Sequence, residues 1–447
     1  MILLICLILA LLLRRFSQRG FIMKNTLLIL LLISANTFSQ IPIPESGCYH
    51  SAFTDNDSQA AFEYLAGKNI AIEMFFTGWP SNRVPDFPLD KCNQIDANGA
   101  VPHITWMPQV PGSPYPLDAI LNGSYDSYIT VYAVRVKSWG KPLFIRLGHE
   151  FNGDWYTYGG ANNGGGTLTG YGDPTKADGP ERFIAAYKRV HDIFESVGVN
   201  NVAWVWCLNN GSSPSEPWNV PEAYYPGDDY VDWIGFDGYN FGTTQTWSGW
   251  TSFYSIYNPL YQKFKSYNKP IMIGEFASVE QGGNKAAWIT EAYSTWIKLV
   301  YTQIKAVTWF NIAKTEGTVY TDWRINSSTA SLTAYQNAIA DDYFLSSVPV
   351  TSVDNEKKIP EYFALEQNYP NPFNPDTKIR FALPESGNTT LVVYNIFGEK
   401  VKTLIQSYLS AGIHEVNFSA DQLPSGVYLY AIEFNGRREM RKMILQK

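Results

Sequence analysis

Short apolar runs alternate with longer amphipathic segments from residue 45 to about residue 342. Eight of these runs have the length and the β-branched and aromatic content of buried strands. They cover residues 47–53, 69–76, 101–107, 142–148, 202–208, 231–237, 270–276 and 306–312. The segments between them, and residues 329–344 after the eighth run, repeat apolar side chains at helical spacing. This alternation predicts a (β/α)8 TIM barrel, an α/β fold, as one large domain.

A doubly wound open sheet would show the same alternation of strands and helices. That fold carries a glycine fingerprint directly after its first strand, and no such fingerprint follows residues 47–53. The barrel is therefore the preferred interpretation.

The pattern changes after residue 344. Residues 345–361 have no periodicity and are predicted to be a linker. Residues 362–447 return to short alternating runs separated by turn residues, which is typical of a small all-β, sandwich-like domain.

The N-terminal residues 1–39 have the character of a leader. The apolar run at 2–13 is too short to span a bilayer, which takes about 20 residues. A second start at Met23 is followed by a lysine, an apolar core and small residues up to Ser39, the order of a secretory signal. We expect Met23 to be the true start and cleavage to follow Ser39, so that the barrel occupies residues 40–344. Arginines between the two apolar runs argue against a membrane anchor.

Composition excludes some functions. The net charge is −7 and no block of basic residues follows the leader, so nucleic acid is a poor candidate for a partner. Three cysteines follow the leader: Cys48, Cys92 and Cys207. Cys48 and Cys92 either pair or remain free, and no CxxC or Cys/His cluster indicates a metal site.

Two glutamates stand at predicted strand ends. In a TIM barrel the βα loops build the active face, so side chains at strand ends meet there. Glu150 ends strand four and Glu275 ends strand seven. Two carboxyl groups about 5 to 5.5 Å apart are what a retaining glycosidase uses, one as proton donor and one as nucleophile.

The neighbours of these glutamates favour a functional interpretation over a salt bridge or a helix cap. Arg146 and His149 flank Glu150, and Glu275 follows an apolar run where a solvated carboxylate would be unusual. Glu73, inside strand two, is more typical of a structural barrel residue. Asp237 ends strand six.

Aromatic side chains accompany the strand ends. A single ring usually belongs to the core, but rings at five different strand ends favour a cleft that stacks on the CH faces of sugars. The five rings are Trp79, Trp106, Trp155, Tyr239 and Trp309.

The run RLGHEFNGDWY, residues 146–156, resembles the acid/base segment of glycoside hydrolase family 26, and the resemblance extends over residues 45 to about 342. It implies that Glu150 is the acid/base and that Glu275, in KPIMIGEFAS, is the nucleophile. It further implies substrate-binding roles at the cleft for Arg146, His149, Asn152, Trp155, Tyr239, Trp106 and Trp309. Trp79 is expected in the same role because of its place at a predicted strand end. No cofactor is required by the chemistry of this family.

The sequence also departs from the mannanases of that family. Leu147-Gly148 and Phe151 replace parts of their motif, and Met107 follows Trp106 where a histidine is common. The family resemblance favours internal cleavage of β-1,4-mannan. Mixed-linkage β-glucan and β-1,3-xylan are the alternatives within the family.

Two rival functions remain. A non-catalytic glycan-binding protein would have no use for both glutamates. A cellulase-like barrel of the same clan would show Asn-Glu where this chain has His149-Glu150.

The tail resembles the type A sorting domain of the type IX secretion system. The resemblance lies in EQNYPNPFNP, VYNIFGEKVKTL and LPSGVYLYAIEFNG, within residues 362–447. It implies the secretion machinery as a partner and a secreted or cell-surface protein, expected to be a monomer. A carbohydrate-binding sandwich is disfavoured because this segment has no Trp.

Overall fold

The structure is a computed structural model that describes residues 41–55, 58–80, 83–84, 86–110, 115–316, 318–349, 362–409 and 411–447. The predicted leader and most of the predicted linker lie outside these ranges. The chain divides into two compact units between residues 349 and 350. Within the described ranges, no helix has the length and apolar character needed to cross a membrane.

The N-terminal unit is built around parallel strands that close on themselves. In the described chain the strands are β1 (Cys48–Phe53), β2 (Ile72–Gly78), β3 (Val101–Met107), β4 (Leu143–Leu147), β5 (Val202–Asn209), β6 (Trp233–Asn240), β7 (Ile271–Ser278) and β8 (Ile304–Phe310). Each strand pairs in parallel with the next, and β1 also pairs with β8. This closed barrel confirms the predicted fold class.

Helices lie at the predicted places between the strands and after the eighth strand, except that the short helix at 118–121 was not predicted. They are α1 (Gln59–Ala66), α2 (Leu89–Ala97), α3 (Asp118–Leu121), α4 (Asp126–Trp139), α5 (Asp178–Val197), α6 (Phe253–Phe264), α7 (Lys285–Glu291) and α8 (Thr329–Ile339). After α7 the chain continues as a π-helix, Ala292–Val300. The strands β9 (Ala313–Glu316) and β10 (Val319–Asp322), which the sequence pattern did not predict, form an antiparallel hairpin after β8, and β11 (Phe344–Leu345) pairs with β1.

Local signals set several helix ends. Ser58 precedes α1 and its side chain accepts a hydrogen bond from the Ala61 amide; Ser252 and Ser328 do the same for α6 and α8. Such caps satisfy amides that have no partner inside the helix. Gly67 ends α1 with a φ of 73°, a conformation that glycine adopts without a steric penalty.

The three cysteines in the described part of the chain remain thiols. Cys48, Cys92 and Cys207 are all buried and unpaired, so the possible Cys48–Cys92 disulfide is not formed.

The C-terminal unit is entirely β within its described residues. Its strands are β12 (Ala364–Leu365), β13 (Asp376–Leu383), β14 (Gly387–Asn395), β15 (Lys400–Leu409), β16 (Gly412–Ser419), β17 (Gly426–Phe434) and β18 (Arg437–Leu445). They form two antiparallel sheets, ordered β12-β13-β16 and β15-β14-β17-β18. Side chains of both sheets, among them Phe381 and Tyr430, share one core, which makes the unit a sandwich.

Candidate active site

The chain turns sharply where β4 ends. Gly148 and Glu150 both adopt positive φ, 56° and 53°, which is uncommon for a residue with a side chain. The turn is held by the Gly148 amide, which donates to the Trp106 carbonyl at 3.1 Å, and by the Glu150 amide, which donates to the Cys207 carbonyl at 2.9 Å. Neighbouring strands therefore fix the backbone from which the Glu150 carboxyl enters the cleft.

Both oxygens of Glu150 accept a hydrogen bond. Asn209 Nδ2 donates to Oε1 at 2.6 Å and Trp155 Nε1 donates to Oε2 at 2.9 Å. Only 8% of the residue is exposed. Burial, and then the charge of Glu275, raise the pKa of Glu150 to about 7 despite these two donors. Near neutral pH this carboxyl group can therefore hold a proton and release it.

Asn209, at the end of β5, is a site residue that the sequence analysis missed. Its Oδ1 accepts from the Gly211 amide at 2.9 Å, so its Nδ2 must face Glu150. Asn152 holds the backbone of Asn209 from both sides, with Oδ1 accepting from its amide at 2.9 Å and Nδ2 donating to its carbonyl at 3.0 Å. Asn152 is itself fully buried, so it orients Asn209 and does not line the cleft. The polar pair Asn209-Asn210 after an apolar strand was the available signal.

Glu275, on β7, is held by two donors. Arg146 Nη2 donates to Oε1 at 2.5 Å and the Tyr239 hydroxyl donates to Oε2. His149 Nε2 lies 3.7 Å from Oε1. A guanidinium and a phenol directed at one carboxylate fix its orientation.

Arg146 is buried inside the barrel and held by several hydrogen bonds. Its Nη1 donates to both carboxylate oxygens of Asp237 at 2.9 Å, and its Nε and Nη2 donate to Thr105 Oγ1 at 2.9 and 2.7 Å. Because Asp237 balances the guanidinium, Arg146 can contact Glu275 without being an uncompensated buried charge.

His149 is a neutral neighbour of this pair. Burial, and then the charge of Arg146, lower the pKa of His149 well below its usual value. Its Nδ1 lies 3.2 Å from the Tyr158 hydroxyl. A neutral imidazole adds hydrogen-bonding capacity beside Glu275 without adding charge.

Ligand atoms of His149, Asp237 and Glu275 lie within 4.8 Å of one another, the spacing of a metal site. The Arg146 guanidinium already contacts both of these carboxylates. A cation therefore occupies the position that a metal ion would need, and we propose no metal at this cluster.

The two glutamates line one cleft of about 1160 Å³ at the strand ends. Its walls are rich in aromatic side chains and carry few charges. The aromatic residues lining it are Phe53, Phe76, Trp155, Tyr156, Tyr239, Phe241, Trp247, Phe310 and Trp323. A long aromatic cleft around two carboxyl groups is suited to an extended sugar polymer.

Comparison with known families agrees with this geometry. Residues 110–317 match the family described as Glycosyl hydrolase family 26. The barrel is a family 26 glycosyl hydrolase domain. Residues 367–446 match the Secretion system C-terminal sorting domain, so the tail is a type IX sorting domain and marks the protein as secreted or cell-surface.

Curated relatives of the family 26 barrel differ in their names. Endoglucanase H of Acetivibrio thermocellus is 38% identical over 332 residues, which is 71% of this chain and 34% of that protein. A mannan endo-1,4-beta-mannosidase of Bacillus subtilis is 27% identical over 170 residues, 38% of this chain and 39% of that protein. The chain thus spans little more than a third of the length of these relatives. A solved modular endo-beta-1,4-mannanase of Cellulomonas fimi aligns with a TM-score of 0.49 at 17% identity, over 89% of this chain and 94% of that one.

The family 26 barrel brings together only part of the predicted aromatic set. Trp155, which is 48% exposed, and Tyr239 line the cleft. Trp79, Trp106 and Trp309 are at most 5% exposed and do not line it, so their placement does not support the predicted contact with sugar.

The reason lies in the alternation of side chains along a strand. Trp106 points toward the helices, where its ring lies 4.2 Å from that of Tyr132, and Trp79 packs on Trp106. Trp309 packs against Phe276, also away from the cleft. The next residue, Phe310, faces the cleft instead.

Proposed function

We propose that the chain is a retaining endo-glycosidase of β-linked polysaccharides, with Glu150 as acid/base and Glu275 as nucleophile. The observation that carries the proposal is that two carboxyl groups in one cleft have different surroundings. Glu150 is buried and has a pKa raised to about 7, whereas Glu275 is held by the Arg146 guanidinium and the Tyr239 hydroxyl. This asymmetry is what an acid and a nucleophile need at the same pH. Residues 40–344 would form the catalytic domain.

In the first step, a Glu275 oxygen bonds to the anomeric carbon while the glycosidic C–O bond breaks. Glu150 gives its proton to the leaving oxygen, so a shortened glycan departs and an ester to Glu275 remains. In the second step, Glu150 takes a proton from water, whose oxygen attacks the anomeric carbon and releases Glu275. Two inversions leave the β configuration unchanged.

Arg146 and Asp237 would support this exchange of charge. When Glu275 forms the ester it loses its negative charge, yet Arg146 keeps its contacts of 2.9 Å with Asp237 and remains neutralised. Tyr239 can stay within hydrogen-bonding distance of the ester oxygen. The site therefore needs little rearrangement between the two steps.

We place mixed-linkage β-glucan first among substrates and β-1,4-mannan second. The relative named an endoglucanase matches 71% of this chain at 38% identity, whereas the one named a mannosidase matches 38% at 27%. Met107 also stands where the mannanases commonly carry a histidine. The mannosidase match, and the family resemblance itself, keep mannan as the second candidate.

The test uses the full chain and measures reducing ends released from mixed-linkage β-glucan, β-1,4-mannan, glucomannan and β-1,3-xylan. We expect activity on the glucan that is abolished in Glu275→Ala and strongly reduced in Glu150→Ala. With an aryl glycoside whose leaving group departs without protonation, azide should restore turnover of Glu150→Ala and yield a β-glycosyl azide, because it attacks the ester without needing a base.

Full activity of Glu275→Ala, or a first product with α configuration by NMR, would refute the assigned roles. A folded chain that binds one of these polymers and cleaves none would instead support the glycan-binding alternative.

A further inference from the structure

One aromatic side chain in the cleft is more exposed than the others, including Trp155 at 48%. Trp247 lies in the loop between β6 and α6, and 71% of it is exposed although it lines the cleft that contains both glutamates. A single exposed ring on a convex surface needs no explanation. An exposed ring inside a concave site that also contains the two glutamates is available to bind a ligand.

Ring contacts connect Trp247 to the nucleophile. Tyr239, which donates to Glu275, lies 5.8 Å from Phe241 between ring centroids, and Phe241 lies 5.0 Å from Trp247 at 61°. One hydrogen bond and two ring contacts therefore connect Trp247 to the reacting carboxyl within one cleft. A sugar on Trp247 would be a more distant unit of the polymer than the sugar being attacked.

The loop that carries Trp247 is held in place. Ser248 Oγ donates to the Gly242 carbonyl at 2.8 Å. Gly242 has a φ of 51°, and a Cβ there would lie 1.9 Å from the Gln281 carbonyl oxygen, so only glycine fits this close approach. A fixed backbone presents the ring without a large ordering cost on binding.

Polar groups accompany the ring in the cleft. Lys314 and Glu316, on β9, line the same cleft and form an ion pair at 2.8 Å. Gln245 Nε2 donates to the Glu316 carbonyl at 3.4 Å, which links the loop of Trp247 to the β9–β10 hairpin. An open ring in a cleft that also carries charged and amide groups offers stacking for the CH face of a pyranose and partners for its hydroxyl groups.

We infer that Trp247, with Lys314 and Glu316, forms a distal subsite for one pyranose unit of a β-linked glycan. The inference rests on the proposed function, because it assumes that the cleft binds such a polymer. The subsite binds substrate and takes no part in bond cleavage. It should therefore affect KM far more than kcat.

The experiment compares the full chain with Trp247→Ala and Trp247→Phe, using mixed-linkage β-glucan. We expect Trp247→Ala to raise KM roughly fivefold to tenfold, the loss of one aromatic contact, with kcat changed less than about twofold. Trp247→Phe should keep KM within about threefold, because it retains a ring. Tyr64→Ala is the matched control, since Tyr64 is 91% exposed on α1 and does not line the cleft.

An unchanged KM in Trp247→Ala, a fall in kcat alone, or an equal effect of Tyr64→Ala would overturn the inference. If the wild-type chain cleaves no glucan or mannan, the proposed function fails. A measurement of oligosaccharide binding then tests the subsite separately. Quenching of Trp fluorescence by penta-saccharides of glucan or mannan that is lost in Trp247→Ala would support the subsite. Binding that is undiminished in Trp247→Ala would overturn it.

Discussion

The two hydrogen bonds to Glu150 should set the alkaline limit of activity. The pKa of Glu150 stands at about 7, against the usual 4.5, which corresponds to roughly 3 kcal/mol against the charged form. Asn209 and Trp155 oppose this shift, because each donates to the carboxylate at 2.6 and 2.9 Å. A hydrogen bond to a charged group contributes about 1.5 to 3 kcal/mol, or one to two pKa units as an upper range. Since the cleft is open to water, we expect about one unit from Asn209→Ala.

The assay is the pH dependence of kcat/KM between about pH 5 and 9, which reports the free enzyme's acid and base. Wild-type activity should fall as pH rises through about 7, because Glu150 loses the proton that it must donate. Asn209→Ala should shift this fall in activity to higher pH, and Trp155→Phe should do the same. Asn210→Ala is the control, because Asn210 also lines the cleft but gives Glu150 no hydrogen bond. A fall in activity that stays at the same pH or moves to lower pH in Asn209→Ala would refute this account of the pKa.

Three further outcomes follow from the same geometry. Glu275→Gln should lower the pKa of Glu150 below about 7, because it removes the negative charge that raises this pKa. A pH titration of Trp155 fluorescence would detect the shift, and an unchanged midpoint would contradict it. Arg146→Met should destabilise the barrel by about 3 to 5 kcal/mol in chemical denaturation, because it leaves two buried carboxylates without their cation. A loss of stability below about 1 kcal/mol would argue against the buried network. Glu150→Gln should have a free energy of unfolding higher than that of wild type by up to roughly 3 kcal/mol at pH 8, and by little at pH 4. The reason is that a folded-state pKa raised from 4.5 to about 7 makes the wild type lose stability as pH rises through that window. Equal effects at both pH values in chemical denaturation would contradict this.

The Arg146 site also explains why the motif carries an arginine and not a lysine. One planar guanidinium contacts Asp237, Glu275 and Thr105 at the same time, through three different nitrogens. An ammonium is a compact point charge and cannot match that spread of acceptors. Arg146→Lys should therefore lose most of the orientation of Glu275 even though the charge is kept.

The sequence by itself determined the architecture and the two glutamates. Strand and helix periods are local properties, so eight apolar runs separated by amphipathic segments were enough to predict the closed barrel. Once the fold is a barrel, Glu150 and Glu275 must meet at the same face, because parallel strands all end there. The sorting domain was equally visible, because its motifs are contiguous in the chain.

Only the tertiary structure decided which neighbours of these glutamates face the cleft. Trp309 and Phe310 differ by one position, and the alternation along β8 directs one to the core and the other to the cleft. Asn209 and Glu150 are 59 positions apart, yet they are joined by a hydrogen bond of 2.6 Å, which no local sequence pattern predicts. The direction of a side chain at a strand end depends on register and on the turn that follows. Those are settled by packing between distant segments and not by the composition of either one.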